Sequence, residues 1–526
     1  MQRSWLLPFL LLTPVAAQAP TKPLAEDRAG GAALITEARL REFLGTLASP
    51  EFGGRGTGQP GFERAATYVA DHFRSLGLQP LGDDGTFWQR VPWTQISAVA
   101  NRSGLKVAAA QGALALGVDA LAGTIAFRQE AAGDAVHIVI ADATKAVFAP
   151  ESLAGQVAFV EFPGVDLDEA FAGANRREWS RLMDRLRSAG AAGVIVVDDA
   201  RFARLGGLSG PSRPGAGAPA ASRAAGRNPN ELYVTRAVFD KIAALGSPGS
   251  DTAESDVRPL TGVRVELTIE VANAPAPAFN VVGRLPGSDP TRAGECVVIG
   301  SHLDHLGIQR GVLHPGADDD GSGSTGVMAL AEAFAKNPVR PARSIVFVAF
   351  CGEENGLIGS RHFSNNPPIE LSSIVAELQM DMIGRDEEGE GETAEQNVNS
   401  LHLVGTEKLS RDLHALCLEM NTQHGGFDLE WDEEGVFFRS DHVNFARKGV
   451  PIAFFFTGFH KDYHRPSDTP EKINYPKMQR IATYVYALGF ELAQQRSRPL
   501  VDEDLWQQNR DKLSGAGEPA APVRKR

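Results

Sequence analysis

Acidic and histidine side chains recur in the second half of the chain, and most of the groups follow an apolar run. One such carboxylate would be unremarkable, but several brought together repel one another unless positive charge lies between them. Imidazole and carboxylate donors without a thiolate suit a pair of divalent ions, with zinc as the first choice. The groups are residues 302–305 (His-Leu-Asp-His), 318–320 (Asp-Asp-Asp), 353–354 (Glu-Glu), 381 (Asp) and 462–464 (Asp-Tyr-His).

Each group has a simpler interpretation when it is taken alone. An Asp triplet in a glycine-rich loop is typical of a turn, and adjacent glutamates commonly begin a helix, where the helix dipole favours them. Only Gly352 separates Glu353 and Glu354 from the apolar run 345–351, however, and this favours a buried position. Cys351 belongs to that run and is interpreted as an inert core thiol.

The elements that must position these groups have the pattern of an α/β domain. After Ala274, near-continuous apolar runs alternate with helical segments, as is typical of strands buried on both faces of a largely parallel sheet. Chemistry in such a sheet collects beyond the carboxyl ends of the strands. The predicted strands are 280–284, 296–301, 344–350, 375–382 and 450–457, and the predicted helices are 326–334, 408–420 and 478–494.

Two regions of different character precede this domain. Residues 36–78 have helical periodicity, interrupted by a glycine-rich loop around Arg55. Residues 107–260 contain short Val/Ile/Ala strands separated by glycine. Within them, Gly206 to Asn230 is rich in Gly, Ala, Ser, Pro and Arg, which predicts a mobile loop.

The terminal segments predict an exported protein. Arg3 precedes an apolar stretch, residues 5–17, which is too short to span a bilayer and has the layout of a secretory signal. Cleavage after Ala17 is favoured over cleavage after Ala19, because Pro20 would then begin the mature chain. We therefore expect a periplasmic or extracellular location. Residues 513–526 are predicted to form a flexible tail.

Composition narrows the classes of partner. The 526 residues contain 52 Lys and Arg against 65 Asp and Glu, a net charge of −13, which argues against a nucleic-acid partner. Three cysteines exclude a disulfide scaffold. Since no other apolar run reaches membrane length, no stable membrane insertion is expected. The sequence does not indicate an oligomeric state.

The order and spacing of the polar groups resemble the two-zinc aminopeptidases, in the superfamily that also holds glutamate carboxypeptidases and glutaminyl cyclases. The resemblance covers Phe279 to Gln494 closely and residues 40–78 more loosely. In that family the first zinc histidine opens an H-x-D motif. The bridging carboxylate lies three residues before the Ser of an Asp-rich loop, and a Glu-Glu pair supplies the general base and then a ligand.

This resemblance implies two zinc ions and a complete ligand set. By this interpretation His302 and Asp381 hold one ion, Glu354 and His464 hold the other, and Asp319 bridges them. It also implies a cis peptide bond after the bridging residue.

The resemblance implies further roles around those ligands. Asp304 would orient His302, and Glu353 would act as the general base. Tyr463 matches an oxyanion donor in some relatives, with a packing tyrosine as the alternative. Independently of the resemblance, Asp468 is a candidate to orient His464.

The resemblance also implies a fold and its division. We expect a mostly parallel mixed sheet flanked by helices, in a phosphorylase/hydrolase-like sandwich, with an inserted β-rich protease-associated domain whose most telling stretch is residues 189–195. The expected units are a signal peptide (1–17), the N-terminal part of the peptidase domain (30–100), the insertion (107–260), the catalytic domain (274–496) and the tail (513–526).

Together these inferences predict a secreted zinc aminopeptidase that releases N-terminal residues from peptides. A water between two ions becomes a nucleophile near neutral pH, and Glu353 would take its proton and pass it to the leaving amine. The alternatives are a dipeptidase or carboxypeptidase, a glutaminyl cyclase, or a non-catalytic binding protein. A carboxypeptidase needs a basic subsite, for which Arg361, Arg385 and Arg439 are candidates. Asp441 and His442 are plausible pocket residues without an assigned role.

Overall fold

The structure is a computed structural model. It describes residues 24–125, 127–142, 146–165, 167, 176–205, 207–214, 231–246, 257–309, 311–389, 391, 393–431 and 436–513. The predicted signal segment, most of the predicted 206–230 loop and almost all of the predicted tail lie outside these residues.

The N-terminal region is helical because its apolar residues recur on one face. In the second helix Leu40, Phe43 and Leu44 are buried, and the Thr36 side chain caps its start by accepting a hydrogen bond from the Arg39 amide. The region contains helices α1 (Glu26–Ala32), α2 (Glu37–Leu47) and α3 (Pro60–Ser75), and strands β1 (Gln79–Pro80) and β2 (Trp88–Arg90).

The middle region is dominated by strands that form one sheet. Its strands are β3 (Trp93–Ala98), β4 (Gly104–Ala109), β5 (Gly112–Leu116), β6 (Ala122–Thr124), β7 (Gln129–Val139), β8 (Val157–Glu161), β9 (Gly193–Val197), β10 (Leu208–Pro214), β11 (Glu231–Val234), β12 (Val257–Ile269) and β13 (Val271–Pro275). Its helices are α4 (Arg176–Ser188), α5 (Asp199–Leu205) and α6 (Arg236–Ala243). We call this the eleven-stranded sheet; its order is β13-β3-β10-β6-β11-β9-β8-β7-β12-β4-β5.

The C-terminal region alternates strands and helices. Its strands are β14 (Phe279–Leu285), β15 (Cys296–His302), β16 (Gly307–Gln309), β17 (Val312–His314), β18 (Ser344–Phe350), β19 (Ile374–Met380), β20 (Ser400–Val404), β21 (Asp428–Glu430) and β22 (Ile452–Phe456). Its helices are α7 (Gly323–Lys336), α8 (Ile358–Asn365), α9 (Thr406–Leu409), α10 (Arg411–Met420), α11 (His442–Ala446), α12 (Tyr475–Gln494) and α13 (Glu503–Leu513).

Seven of these strands, together with β1 and β2, build a second, nine-stranded sheet, whereas β16 and β17 pair with each other in a separate two-stranded sheet. The order of the nine-stranded sheet is β1-β14-β18-β15-β19-β22-β20-β21, with β2 beside β14. The central pairs β15–β18, β15–β19 and β19–β22 are parallel, so their carboxyl ends share one edge. Antiparallel pairs lie towards the sides. This mixed sheet with helices confirms the predicted fold class.

Both faces of the nine-stranded sheet are buried. Successive side chains of β15 enter different apolar clusters: Val297 and Ile299 pack in the cluster that contains α7 and α12, whereas Val298 packs in the cluster with Phe437 and Phe445. Burial on both faces explains why the central strands are near-continuous apolar runs. In the described part of the chain, no helix is both long enough and apolar enough to cross a bilayer.

The border between the two sheets differs from the expected domain bounds. The eleven-stranded sheet begins at Trp93 and ends at Pro275, so it extends beyond the expected 107–260 at both ends. Strand β3 had been expected to belong to the first unit. It pairs with β13, and Gln95 lies opposite Ala274. The chain therefore enters and leaves this sheet through two adjacent antiparallel strands.

Candidate metal centre

Three side chains from separate elements converge beyond the carboxyl edge of the nine-stranded sheet. His302 ends β15, Asp381 follows β19, and Asp319 lies in the loop before α7. The Nε2 atom of His302 lies 3.3 Å from Oδ1 of Asp319 and 3.4 Å from Oδ1 of Asp381. This spacing lets the three atoms serve as ligands of one cation.

A second group shares Asp319 through its other oxygen. The Nε2 atom of His464 lies 3.0 Å from Oδ2 of Asp319 and 3.2 Å from Oε2 of Glu354. One carboxylate thus presents a separate oxygen to each group, as a bridge between two ions requires. The structure brings together all five residues that were predicted as ligands.

The loop around Asp319 is held by a buried carboxylate. Asp468 accepts hydrogen bonds from the backbone amides of Asp318 and Asp319 at 3.0–3.1 Å. Asp468 therefore fixes the loop backbone, whereas the sequence had suggested that it orients His464. The peptide bond between Asp319 and Asp320 is cis, as the resemblance implied.

His302 is oriented by a backbone group. Its Nδ1 atom lies 2.9 Å from the carbonyl oxygen of Asp304, whereas the Asp304 carboxylate is 3.9 Å away. That carboxylate accepts the backbone amide of Glu353 instead, at 3.2 Å. The expected role of Asp304 is thus carried out by its main chain, and its side chain supports the loop of the proposed base.

His305 is a site residue to which the sequence analysis gave no role. Its Nδ1 atom lies 2.7 Å from Oε1 of Glu354, yet neither atom makes a hydrogen bond of acceptable geometry. Close, buried polar atoms that do not point at each other are typical of ligands that share a cation. His305, Asp319 and Glu354 form such a group. The available signal was the position of His305, three residues after His302.

The charge of the centre fits divalent cations. The side chains of Asp319, Glu353, Glu354 and Asp381 are at most 13% exposed. Burial raises the pKa of Glu353 well above its ordinary value, although His302 opposes the shift. Four buried carboxylates are costly unless positive charge compensates them. The donor set of imidazole and carboxylate suits two such ions.

Glu353 differs from Glu354 in its surroundings. Its Oε2 atom lies 4.0 Å from Nε2 of His302, and it belongs to neither group of candidate ligands. It lines the pocket above the centre, as do His302, Asp319 and Asp381. A carboxylate that lies beside the two groups of candidate ligands but belongs to neither is free to exchange a proton.

The N-terminal region contributes a buried cation that holds the loops of the centre. Arg55 is fully buried and donates hydrogen bonds to the carbonyl oxygens of Leu303, Leu47, Pro315 and Gly316 at 2.7–2.9 Å. Three of these carbonyls belong to the segments beside His302 and Asp319. The glycine-rich loop predicted around Arg55 is therefore part of the site's support.

The pocket over the ligands has an aromatic wall. The Tyr463 ring stacks on that of His464 at 3.9 Å between centroids, and its hydroxyl accepts a hydrogen bond from Arg439. The apolar lining residues were not predicted; the aromatic run 454–456 was the available signal. The wall consists of Val436, Phe454, Phe456, Phe459 and Tyr463.

The other residues that were predicted for the pocket do not come together around the ligands. Of the three arginines, Arg439 lines the pocket, Arg385 pairs with Asp462 at 3.2 Å, and Arg361 lies exposed on α8. They do not form one basic subsite. Asp441 and His442 are fully buried and do not line the pocket.

Known proteins resemble the part of the chain that contains the candidate ligands. Residues 280–489 match the model of Peptidase family M28. "Leupeptin-inactivating enzyme 1" of Streptomyces exfoliatus is 29% identical over 38% of this chain and 39% of its own length. An "Aminopeptidase" of Pseudomonas aeruginosa is 28% identical over 37% of this chain and 34% of its own. The chain thus spans less than half the length of these curated relatives.

One solved structure resembles nearly the whole chain. The zinc aminopeptidase BSAP from Bacillus subtilis matches 90% of this chain and 99% of its own, with a TM-score of 0.50 and 17% identity. At this identity the likeness supports the fold.

Proposed function

We propose that the protein is a zinc-dependent aminopeptidase that releases N-terminal residues from peptides, because residues 280–489 match the model of peptidase family M28. The relatives named above include an aminopeptidase, and the family places the domain in the aminopeptidase and glutamate carboxypeptidase superfamily. The observation that carries the proposal is the shared Asp319, which gives one oxygen to each of two ligand groups.

Two sets of residues would hold the two ions that the proposed reaction requires. Two zinc ions would supply Lewis-acid activation of a water and of the scissile carbonyl. His302, Asp319 and Asp381 would hold one ion, and Asp319, Glu354 and His464 the other.

Glu353 is the proposed general base. Its carboxylate accepts a proton from the attacking water and passes it to the leaving amine. Burial raises the pKa of Glu353. Two nearby divalent cations would oppose that shift, because they favour the charged form of the carboxylate. In the metal-loaded protein, Glu353 would therefore be able to accept the proton at neutral pH.

Tyr463 is the proposed donor to the oxyanion. Its oxygen already accepts a hydrogen bond from Arg439 at 3.1 Å, which leaves the hydroxyl hydrogen available to another acceptor. Its ring is fixed against His464. A preorganised donor of this kind stabilises charge that develops on the substrate oxygen.

We also propose that the protein is exported and that the eleven-stranded sheet is a protease-associated domain. The first proposal rests on Arg3 and the apolar stretch that follows it. Mass spectrometry of the mature protein should find a chain that begins near Gln18; an intact N-terminus would contradict export.

The neighbours Glu353 and Glu354 provide the test of the mechanism. Glu353→Gln should keep both zinc ions and lower turnover by roughly 10²–10⁴-fold, because an amide cannot accept the proton. Glu354→Gln should lose one ion and activity together. Zinc content and hydrolysis of leucine p-nitroanilide are measured on the same preparations.

Each glutamate serves as the matched control for the other. Near-normal turnover in zinc-loaded Glu353→Gln would remove it as the base. Full zinc content in Glu354→Gln would remove it as a ligand. No hydrolysis by the zinc-loaded wild-type protein, over a panel of amino-acid p-nitroanilides, would contradict the aminopeptidase proposal itself.

A further inference from the structure

Arg439 is a positively charged side chain on the wall of the substrate pocket with no carboxylate partner in the described part of the chain. It lines the same pocket as His302, Asp381 and Glu353 and is exposed to solvent. The only hydrogen bond from its guanidinium to a described residue goes to the hydroxyl of Tyr463. By contrast, Arg385 pairs with Asp462.

Aromatic rings hold the guanidinium in place. Its central carbon lies 4.6 Å from the ring centroid of Phe459 and 5.8 Å from that of Tyr463. A guanidinium stacked on a ring keeps its N–H groups at the edge, where they can bind a carboxylate through two parallel hydrogen bonds. Arg439 is therefore preorganised, and among the described residues only the Tyr463 hydroxyl accepts a hydrogen bond from its guanidinium.

The charge balance of the pocket also favours an anion. On the proposed function, two divalent ions carry four positive charges, which balance the carboxylates of Asp319, Glu353, Glu354 and Asp381. Among the residues that line the pocket, Arg439 is then a positive charge in addition to this balance. A negatively charged group of the substrate would be attracted into this space.

The apolar lining of the pocket limits which kind of chain can carry the negatively charged group of the substrate. Besides Arg439, the pocket is lined by the apolar side chains of Val436, Phe456 and Phe459. Apolar walls suit a methylene stem or a short backbone segment that ends in the charged group. A long polar chain would leave its own hydrogen-bonding groups unpaired there.

We propose that Arg439 is a specificity-determining residue that binds a carboxylate of the substrate. This inference rests on the proposed aminopeptidase function and adds a preference to it. The carboxylate has two possible sources with the same chemistry: the side chain of an N-terminal Glu or Asp, or the C-terminus of a dipeptide.

Pairs of substrates that differ only in charge test the proposal and separate its sources. Glutamate and glutamine p-nitroanilides compare a side-chain carboxylate with its amide. Leu-Gly and Leu-Gly-amide compare a C-terminal carboxylate with its amide. In the wild-type protein we expect kcat/KM for the carboxylate member of one pair to exceed that of the amide by about 10–100-fold, as for a charged hydrogen bond.

Two substitutions at Arg439 show whether the preference belongs to it. Arg439→Met keeps an apolar stem against Phe459 but removes the donors, and should bring the preferred pair to within about threefold of equality, chiefly through KM. Arg439→Lys keeps the charge without the planar donor edge and should recover part of the preference. Arg361→Met removes another exposed arginine, away from the pocket, and should change neither pair.

Binding without turnover tests the inference independently of the proposed activity. Calorimetry on zinc-loaded Glu353→Gln, with and without Arg439→Met, measures the affinity of the same four compounds. Tighter binding of a carboxylate member that is lost with Arg439→Met supports the proposal even if hydrolysis fails. The inference is overturned if neither pair shows a preference in binding or turnover. It is also overturned if Arg439→Met lowers kcat equally for carboxylate and amide, since Arg439 would then act by positioning Tyr463.

Discussion

The two sheets of this molecule differ in where their unpaired buried polar atoms lie. In the eleven-stranded sheet these atoms are isolated, as at Gln129 Oε1 and Asn273 Oδ1. Other buried or part-buried polar side chains there pair with each other: Arg201 binds the Tyr233 hydroxyl at 2.7 Å, and Trp179 donates to Glu231 at 3.0 Å. In the nine-stranded sheet, Glu354 Oε1 and the ring nitrogens of His305 lack hydrogen bonds.

The contrast separates a structural region from a functional one. A sheet that only has to fold leaves few buried polar groups unpaired, and these need not lie together. A metal centre presents unsatisfied donors and carboxylates to a common point, at a cost in stability that a bound ion offsets. Among the described residues, every candidate group of metal ligands lies between His302 and His464.

The largest expected effect is the loss of the bridge. Asp319→Ala removes a ligand from both groups, so zinc should fall well below two ions per chain. Turnover should fall by more than about 10³-fold, because ion binding contributes several kcal/mol to the transition state. Metal analysis and p-nitroanilide hydrolysis measure the two effects.

A second acidic position provides the control for this variant. Glu387 contacts His402 at 3.0 Å in a separate, more exposed group with Glu430. Glu387→Gln should keep two ions and normal turnover. If Asp319→Ala kept both ions and full activity, Asp318 or Asp320 would be the better candidate for the bridge.

Removing the ions should make stability depend on pH. Burial raises the pKa of Asp304 to about 6 and that of Asp441 to about 7, against about 3.9 in an unfolded chain. A raised carboxyl pKa stabilises the fold below about pH 4, and this contribution is lost as the pH rises towards 7. The Tm of chelated protein should therefore fall by roughly 5–10 °C between pH 5 and 7.5.

Two comparisons make this prediction specific to the metal centre. Zinc-loaded protein should show a smaller fall, because the cations favour the charged carboxylates. Asp441→Asn removes one titrating group and should reduce the slope of the chelated protein. Parallel Tm profiles with and without zinc would contradict the explanation.

Excision of the eleven-stranded sheet should leave metal binding intact. Gln95 and Ala274 face each other on adjacent antiparallel strands, so an Asn-Gly turn that replaces residues 96–273 can join them. The shortened protein should still bind both ions, while its preference among longer peptides changes. Loss of both ions from a variant that circular dichroism shows to be folded would place the site elsewhere.

The smallest expected effect is on the cysteines. Cys296, Cys351 and Cys417 are buried, and burial raises the pKa of Cys296 to about 12. Since the thiolate is the reactive form, none should react with Ellman's reagent in the native protein, and all three should react in denaturant. Rapid labelling of Cys351 alone would show that the loop carrying Glu353 opens.

Much of the nine-stranded sheet was predictable because burial on both faces leaves a strong signal. The run 344–350 coincides with β18, and the run 296–301 with β15 less its last residue. The order of the polar groups was sufficient to predict that these side chains lie close together, since parallel strands deliver their ends to one edge.

The remainder depends on contacts between distant parts of the chain. Asp468 binds the backbone of the Asp319 loop about 150 residues away, and no local pattern indicates that choice. Met382 and His464 adopt left-handed backbone conformations at the centre, where the surrounding structure overrides local preference. The ends of the eleven-stranded sheet, at Trp93 and Pro275, were missed because short outer strands carry little periodicity.

The hydrogen bonds of Arg55 indicate when, during synthesis of the chain, the candidate metal centre can form. Leu303, whose carbonyl accepts a hydrogen bond from Arg55, is 248 residues further along the chain. A ribosome that adds about 5–20 residues per second reaches Leu303 roughly 12–50 s after Arg55. During that interval the Arg55 guanidinium has no carbonyl of Leu303, Pro315 or Gly316 to bind. The N-terminal helices are therefore synthesised before the loops that Arg55 holds in place. Completion of the centre is therefore a late event in the synthesis of the protein.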